Sequence, residues 1–219
     1  MEHTILTPRQ QILFSLFTKQ PLVVDFFYLT GGTALAEWYL HHRYSEDLDF
    51  FSDQEVDAQS VLSFFKKIQF EAGFASVDFQ QSFNRQLFFL HYSDEVIKTE
   101  FTYFPFPRIE KGIKQEGLSI DSLLDIAVNK LFTIYQKPRA RDFIDLFLIL
   151  EKTQWHIDDL IMKAKGKFDW HVDSLQLGSQ FLQATEVKDY PRMIIPLECT
   201  IWQAFFMEEA KKLKTQILK

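Results

Sequence analysis

Two glycines stand side by side at Gly31 and Gly32 in a chain of 219 residues that has only seven. An adjacent pair marks a stretch of backbone with no room for a Cβ. The amides of such a turn, with the start of a following helix, can hold phosphate oxygens, and Thr33 adds a hydroxyl. A little further on, Asp47 and Asp49 alternate with Leu48 and Phe50. Residues two apart on a strand point the same way, so the two carboxylates project from one face, about 7 Å apart at the backbone. Two carboxylates so placed repel each other unless a cation lies between them. Hard oxygen ligands at that spacing suit Mg²⁺ or Mn²⁺, which can bridge to substrate phosphates. A third carboxylate on a neighbouring strand would complete a two-metal site, and Glu100 in "VIKTEFTYF" is the candidate.

Each feature alone has an ordinary reading. A glycine pair is usually a turn, an Asp-Leu-Asp triplet usually faces water, and Glu100 could pair with Lys98 at the surface, which is worth little. Their order along the chain is what gives them weight. A strand, the glycine pair, a helix, a strand with the aspartates and a later acidic strand together describe a phosphate- and metal-binding face.

The elements that must position these residues can be read from apolar periodicity. A helix is expected after Thr7-Pro8, with Ile12, Leu13, Leu16 and Phe17 on one side. Residues 26–29 read as a strand entering the glycine pair, 33–40 as a helix and 48–51 as a strand. The stretch "VDAQSVLSFFKKIQF" has helical spacing, and strands follow over 75–79, 86–92 and 96–104. Beyond residue 121 the pattern turns helical: 122–135, 142–151, 158–165, 174–184 and about 197–218. The break near "IEKGIKQEGLSI" divides the chain into a catalytic core over 1–117 and a helical domain over 118–219. A sheet first and helices afterwards is the α+β pattern, here a mixed sheet with flanking helices followed by a helical half.

The composition narrows the class. Hydrophobic residues make up 47% and charged residues 25%, ordinary values for a globular chain, and 24 phenylalanines point to a Phe-rich core. A net charge of −6 argues against a surface coated for nucleic acid, though a local basic cleft can sit on an acidic molecule. The single cysteine, Cys199, precludes an intrachain disulfide and fits a reducing compartment. There is no apolar run long enough to span a membrane and no leader-like N-terminus, so a cytoplasmic location is expected.

Five blocks in order carry a likeness to a known group: "GGTALA" at 31–36, "HRYSEDLDFF" at 42–51, "VIKTEFTYFPFP" at 96–107, "LSIDSLLDIAVNKLFTI" at 118–134 and "RARDFIDLFLIL" at 139–150. On these the chain resembles the AbiEii/AbiGii toxin family within the nucleotidyltransferase superfamily. The resemblance implies a nucleotidyltransferase core whose helical half completes the nucleotide cleft, with Asp47 and Asp49 as metal ligands and Glu100 at the next acidic position. It further implies roles for Lys130 of the fourth block and for Arg141 and Asp142 of the fifth. Members act as toxins of toxin–antitoxin or phage-defence systems, and some add nucleotides to the acceptor end of tRNA. An antitoxin encoded nearby and a tRNA acceptor are therefore expected partners.

Helical geometry leaves Lys130 either snorkelling to solvent or serving as a point charge for a triphosphate. Asp142 and Asp145 lie three apart on one helical face, where Asp142 also suits the helix dipole. Arg139 and Arg141 could clamp phosphate or balance nearby acids. His42, Arg43 and Ser45 order the loop before the aspartates, with Ser45 within reach of phosphate. His41 and His42 do not make a zinc site, because His3, His91, His156 and His171 stand apart. The expected reaction is NTP-dependent and Mg²⁺-dependent, with Asp47, Asp49, Glu100, Lys130 and Asp142 in catalysis and Gly31, Gly32, Thr33, Ser45, Lys130 and Arg141 on the nucleotide. The rivals are a nucleotidyl- or phosphotransferase acting on a protein or small molecule, and a nucleotide-binding interaction module without turnover.

Overall fold

The computed structural model describes residues 4–217, and two compact units divide it: Met1–Pro107 with Lys111–Ser122, and Arg108–Glu110 with Leu123–Lys219. His3 and the last residue of the expected C-terminal helix, 218, lie outside the described residues.

The first unit is built on a seven-stranded mixed sheet in the order β3-β4-β5-β2-β1-β7-β6. Its strands are β1 (Tyr28–Thr30), β2 (Leu48–Ser52), β3 (Ser76–Ser82), β4 (Arg85–His91), β5 (Val96–Tyr103), β6 (Lys114–Gln115) and β7 (Leu118–Ile120). Strand β2 runs antiparallel to β1 and parallel to β5, and β7 runs parallel to β1. One face is apolar because Leu48 and Phe50 on β2, Phe101 on β5 and Phe88 on β4 alternate inward, all buried. Helices α1 (Pro8–Phe17) and α4 (Ala58–Ala72) bring Phe17, Phe64 and Phe65 into the same core. Phe50 stacks on Phe101 at 5.0 Å and Phe17 meets Phe50 edge-on at 5.0 Å, so the many phenylalanines do form the core.

Sequence and structure differ where elements are short. The aromatic run ahead of the glycines is split: Pro21 starts a short helix, α2 (Pro21–Phe26), and β1 begins only at Tyr28. The next helix, α3 (Gly31–Leu35), starts at the glycine pair itself and continues as a π-helical turn over Ala36–Leu40. The expected boundary stretch supplies β6 and β7, five residues in all, too few to show a period.

The second unit is helical: α5 (Leu123–Gln136), α6 (Ala140–Thr153), α7 (Ile157–Phe168), α8 (Ser174–Leu182) and α9 (Cys199–Ile217). Phe143, Phe181, Trp202 and Phe206 are buried in its core, with Phe143 and Phe206 4.8 Å apart. No helix among the described residues is long and apolar enough to cross a membrane.

Candidate active site

The glycine pair and the aspartates meet across β1 and β2. Thr30, the last residue of β1, pairs with Asp49, and Gly31 follows with φ +72°, a left-handed conformation that favours glycine. A Cβ on Gly31 would lie 2.6 Å from Asp49 Oδ2, and one on Gly32 would lie 2.5 Å from Arg43 Nη2 and 3.0 Å from Ser45 Oγ. Gly31 is favoured by its left-handed backbone as well as by the carboxylate beside it, and Gly32 by the side chains packed against it. The first admits the Asp49 carboxylate, and the second admits Arg43 and Ser45.

The loop that delivers Asp47 is pinned by its carbonyls. The buried Gln10 side chain donates to the carbonyls of Ser45 (2.9 Å) and Glu46 (3.1 Å), and Thr33 Oγ1 donates to that of Asp47. This corrects the expectation for Thr33. Its hydroxyl is buried and committed to holding Asp47 in place, so it does not face outward with the glycine amides.

Asp49 is flanked in register by Thr30 on β1 and Glu100 on β5, on the face opposite the phenylalanines. The three acids are brought to one face, but their partners set them apart. Glu100 is 5% exposed and gripped bidentately by Arg85, with Nε–Oε1 at 2.6 Å and Nη2–Oε2 at 2.5 Å. Thr102 donates to it as well, at 2.8 Å. Burial pushes the Glu100 carboxyl up, but the Arg85 and Thr102 hydrogen bonds and the charges of Arg85 and Lys98 hold it below its ordinary value. The Arg85 guanidinium is raised in turn, first by Glu100 and also by the charges of Asp49 and Asp47. Lys98 bonds Asp47 Oδ2 at 2.8 Å and lies 3.9 Å from Glu100, so its main partner is the aspartate.

As a cation site the donor set fits at Asp47 and Asp49. Both are half-buried carboxylates, and glycine at position 31 sets no Cβ against Asp49 Oδ2. Glu100 does not fit in this arrangement, because Arg85 and Thr102 take its oxygens; it stands beside the site as a fixed negative charge. No group of three metal-ligating residues occurs among the described residues, and His41 and His42 belong to none.

The residues expected at the site from the helical half are found within the second unit. Lys130 Nζ lies 2.7 Å from Asp142 Oδ1 and 2.7 Å from Asp145 Oδ2, and Arg139 Nε lies 2.7 Å from the other Asp142 oxygen. Lys130 thus turns inward, and neither solvent nor a lone pair partner describes it. Burial raises the Asp142 carboxyl, yet Lys130 and Arg139 outweigh it and hold the group below its usual range. Arg139, not the half-buried Arg141, is the arginine that reaches Asp142. A second pair, Lys167 to Asp125 at 2.6 Å, is fully buried, and Asp125 also accepts from the amides of Ile109 and Glu110.

Arg85 is the residue that sequence reasoning missed. Strand alternation puts Arg85 with Leu87 and Phe89, which are as apolar as Phe88 and Leu90 on the other face, so local pattern does not single the arginine out. The register that sets β4 beside β5 was not readable.

The chain matches the family described as nucleotidyl transferase AbiEii toxin, type IV TA system, over residues 11–198. It is 32% identical over 146 residues to the protein aq_aa25 of Aquifex aeolicus (strain VF5), a match that spans 65% of this chain and 66% of that relative. Two solved structures are similar in fold. A candidate nucleotidyltransferase from H. pylori superposes with a TM-score of 0.62 at 18% identity, covering 98% of this chain and 99% of that one. JHP933 from Helicobacter pylori gives 0.60 at 20% identity, covering 95% and 93%.

Proposed function

The chain belongs to the nucleotidyl transferase AbiEii toxin family, and from that premise we propose that it transfers NMP from an NTP to an acceptor hydroxyl on RNA, the 3′ end of tRNA being the acceptor. The observation that carries this reading is the packing of Gly31 beside Asp49, where a Cβ would lie 2.6 Å from a carboxylate oxygen that would serve a metal-bound phosphate. Asp47 and Asp49 would hold Mg²⁺, or Mn²⁺ in its place. When bound, the cation supplies charge neutralisation for the phosphates and for departing pyrophosphate.

The protein's own groups do the rest. The acceptor oxygen attacks the α-phosphorus, its proton passes to solvent or a carboxylate, and the bond to the β-phosphate oxygen breaks. Gly31 lies beside Asp49 and the Ser45 hydroxyl beside Gly32, and the two glycine amides with that hydroxyl suit the triphosphate oxygens. Lys98, on the same face, is a cation that can turn from carboxylate to phosphate. The pinned carbonyls of residues 45–47 keep Asp47 from drifting, which matters because misplacement by an ångström is costly in a transfer reaction.

Family membership also supports a toxin role, with a cognate antitoxin encoded nearby and phage defence as its setting. The lone cysteine supports a reducing cytoplasm as its compartment.

The test is incubation with Mg²⁺, total tRNA and each α-³²P-labelled NTP in turn, with Asp49→Asn as control. Label in tRNA from the wild type and none from the variant is expected. Label in protein instead of RNA would replace the acceptor, and no transfer to any acceptor would sink the proposal.

A further inference from the structure

The sheet carries a second concavity on the face opposite the carboxylates. Gln86 on β4 pairs in register with Gln81 on β3 and with Phe101 on β5, which puts all three on the apolar face, whereas Glu100 and Arg85 are on the other. The cavity they line encloses about 740 Å³, within the size range of small-molecule sites. Its floor is aromatic, formed by Phe27 and Phe101, whose rings meet edge-on at 4.9 Å. Its wall carries side-chain amides.

Two features there are unexplained by folding. The first is Phe83. The β3–β4 hairpin turns through two residues, Phe83 and Asn84, and Phe83 has φ +53° while its side chain is 97% exposed. Left-handed backbone at that turn position belongs to glycine, and a bulky aromatic there is strained. A fold that required only the turn would not put a phenylalanine in it, and burial gives the ring no compensation. Strain maintained at an exposed aromatic points to use.

The second is Gln86. Its Nε2 donates to the Val56 carbonyl at 2.6 Å, which fixes the amide's orientation. Its Oε1 is buried and has no hydrogen-bond partner among the described residues. A buried acceptor without a donor costs stability, so a ligand that brings a donor is favoured. Asn84 has its Nδ2 on the Tyr103 carbonyl at 2.7 Å, which holds the hairpin tip against β5.

From these the geometry points to a nucleobase-binding site: a planar heteroaromatic stacked on Phe83, with an amino or ring N–H donated to Gln86 Oε1. Amide side chains match the mixed donor and acceptor edge of a base, and aromatic rings accept any base face. Charge excludes the alternative of a triphosphate. Among the described residues no lysine or arginine lines the cavity, and Glu55 and Asp57 do. The base therefore enters with its phosphates directed away, as a free nucleoside or as an unpaired base of a single strand. This site lies beyond the transfer reaction proposed above and does not depend on it.

The test is binding to the full chain without Mg²⁺ or NTP, so that its outcome is separate from transfer activity. The probes are adenosine, cytidine, guanosine and uridine, and a short single-stranded RNA, followed by calorimetry and by the side-chain amide resonances of Gln81 and Gln86. Phe83→Gly is the central variant, because it relieves the left-handed strain while removing the ring. It should keep or raise Tm, yet weaken binding roughly tenfold or more. Gln86→Leu, with no acceptor, should weaken binding as well, and Phe83→Trp should retain it. Binding of free nucleosides as tight as that of the oligonucleotide identifies a soluble ligand; binding of the oligonucleotide alone identifies a strand. Wild-type binding by both Phe83→Gly and Gln86→Leu, or no binding by the wild type, overturns the proposal.

Discussion

Two clusters of charge, one in each unit, use the same residue types to opposite ends. On the sheet of the first unit, the Asp47 side chain is 29% exposed and its lysine partner 26%. In the helical unit, Asp142 and Asp145 are 1% and 0% exposed around Lys130 at 10%, and Lys167 and Asp125 are both at 0%. An ion pair at a half-open edge is weak enough for a cation or phosphate to replace it. A closed one has already left water, and removing either member strands the other. Exposure, not residue type, separates a site that can exchange ligands from a network that holds helices together.

The contrast is sharpest at its two extremes. Asp49→Asn should lower transfer by about a thousandfold, roughly 4 kcal/mol of transition-state stabilisation, while the denaturation midpoint stays near the wild type's. Lys130→Met should do the reverse first: a loss of roughly 3–5 kcal/mol in chemical denaturation, because Asp142 and Asp145 keep their burial and lose Lys130, with Arg139 remaining on Asp142. If Lys130→Met left stability intact, the reading of that cluster as structural would be wrong.

Gly31→Ala joins the two properties. The left-handed backbone costs about 1–2 kcal/mol for a residue with a Cβ, and that Cβ would push on Asp49 Oδ2. Stability and transfer should therefore fall together, unlike in either variant above. A variant that lost activity with unchanged stability would mean that the backbone yields and only the carboxylate moves.

The smallest effect is with pH. Glu100 and Asp142 are both held below their ordinary values, so each stabilises the fold fully above the unfolded carboxyl range and loses that contribution as pH falls through the lower folded value. Stability should decline below about pH 4. Arg85→Gln removes the main group holding Glu100 down, and burial then raises it, so stability should fall at neutral pH and its decline on acidification should become shallower. An unchanged acid limb would mean that Thr102 and Lys98 suffice.

Much of this was legible in the order of residues. The glycine pair, the alternation of Asp47 and Asp49 with buried Leu48 and Phe50, and the helices from residue 123 onward all follow from local spacing. Local spacing also put Glu100 on the face of the aspartates, since a period of two along β5 and a core on one side leave no alternative. It failed at β6, β7 and α2, which are too short to repeat a pattern, and at Thr33 and Lys130, whose partners lie across a loop or on another helix.

The sequence by itself determined which residue types stand where a phosphate and a cation could be held, because strand alternation and glycine's missing Cβ are properties of the chain. Only the tertiary structure decided which charges are available there. Register brought Arg85 to Glu100 and Lys98 to Asp47, and helix packing closed Lys130 around two aspartates. Those outcomes depend on distances between residues far apart in the chain, and electrostatic strength depends on how much water the fold leaves between them.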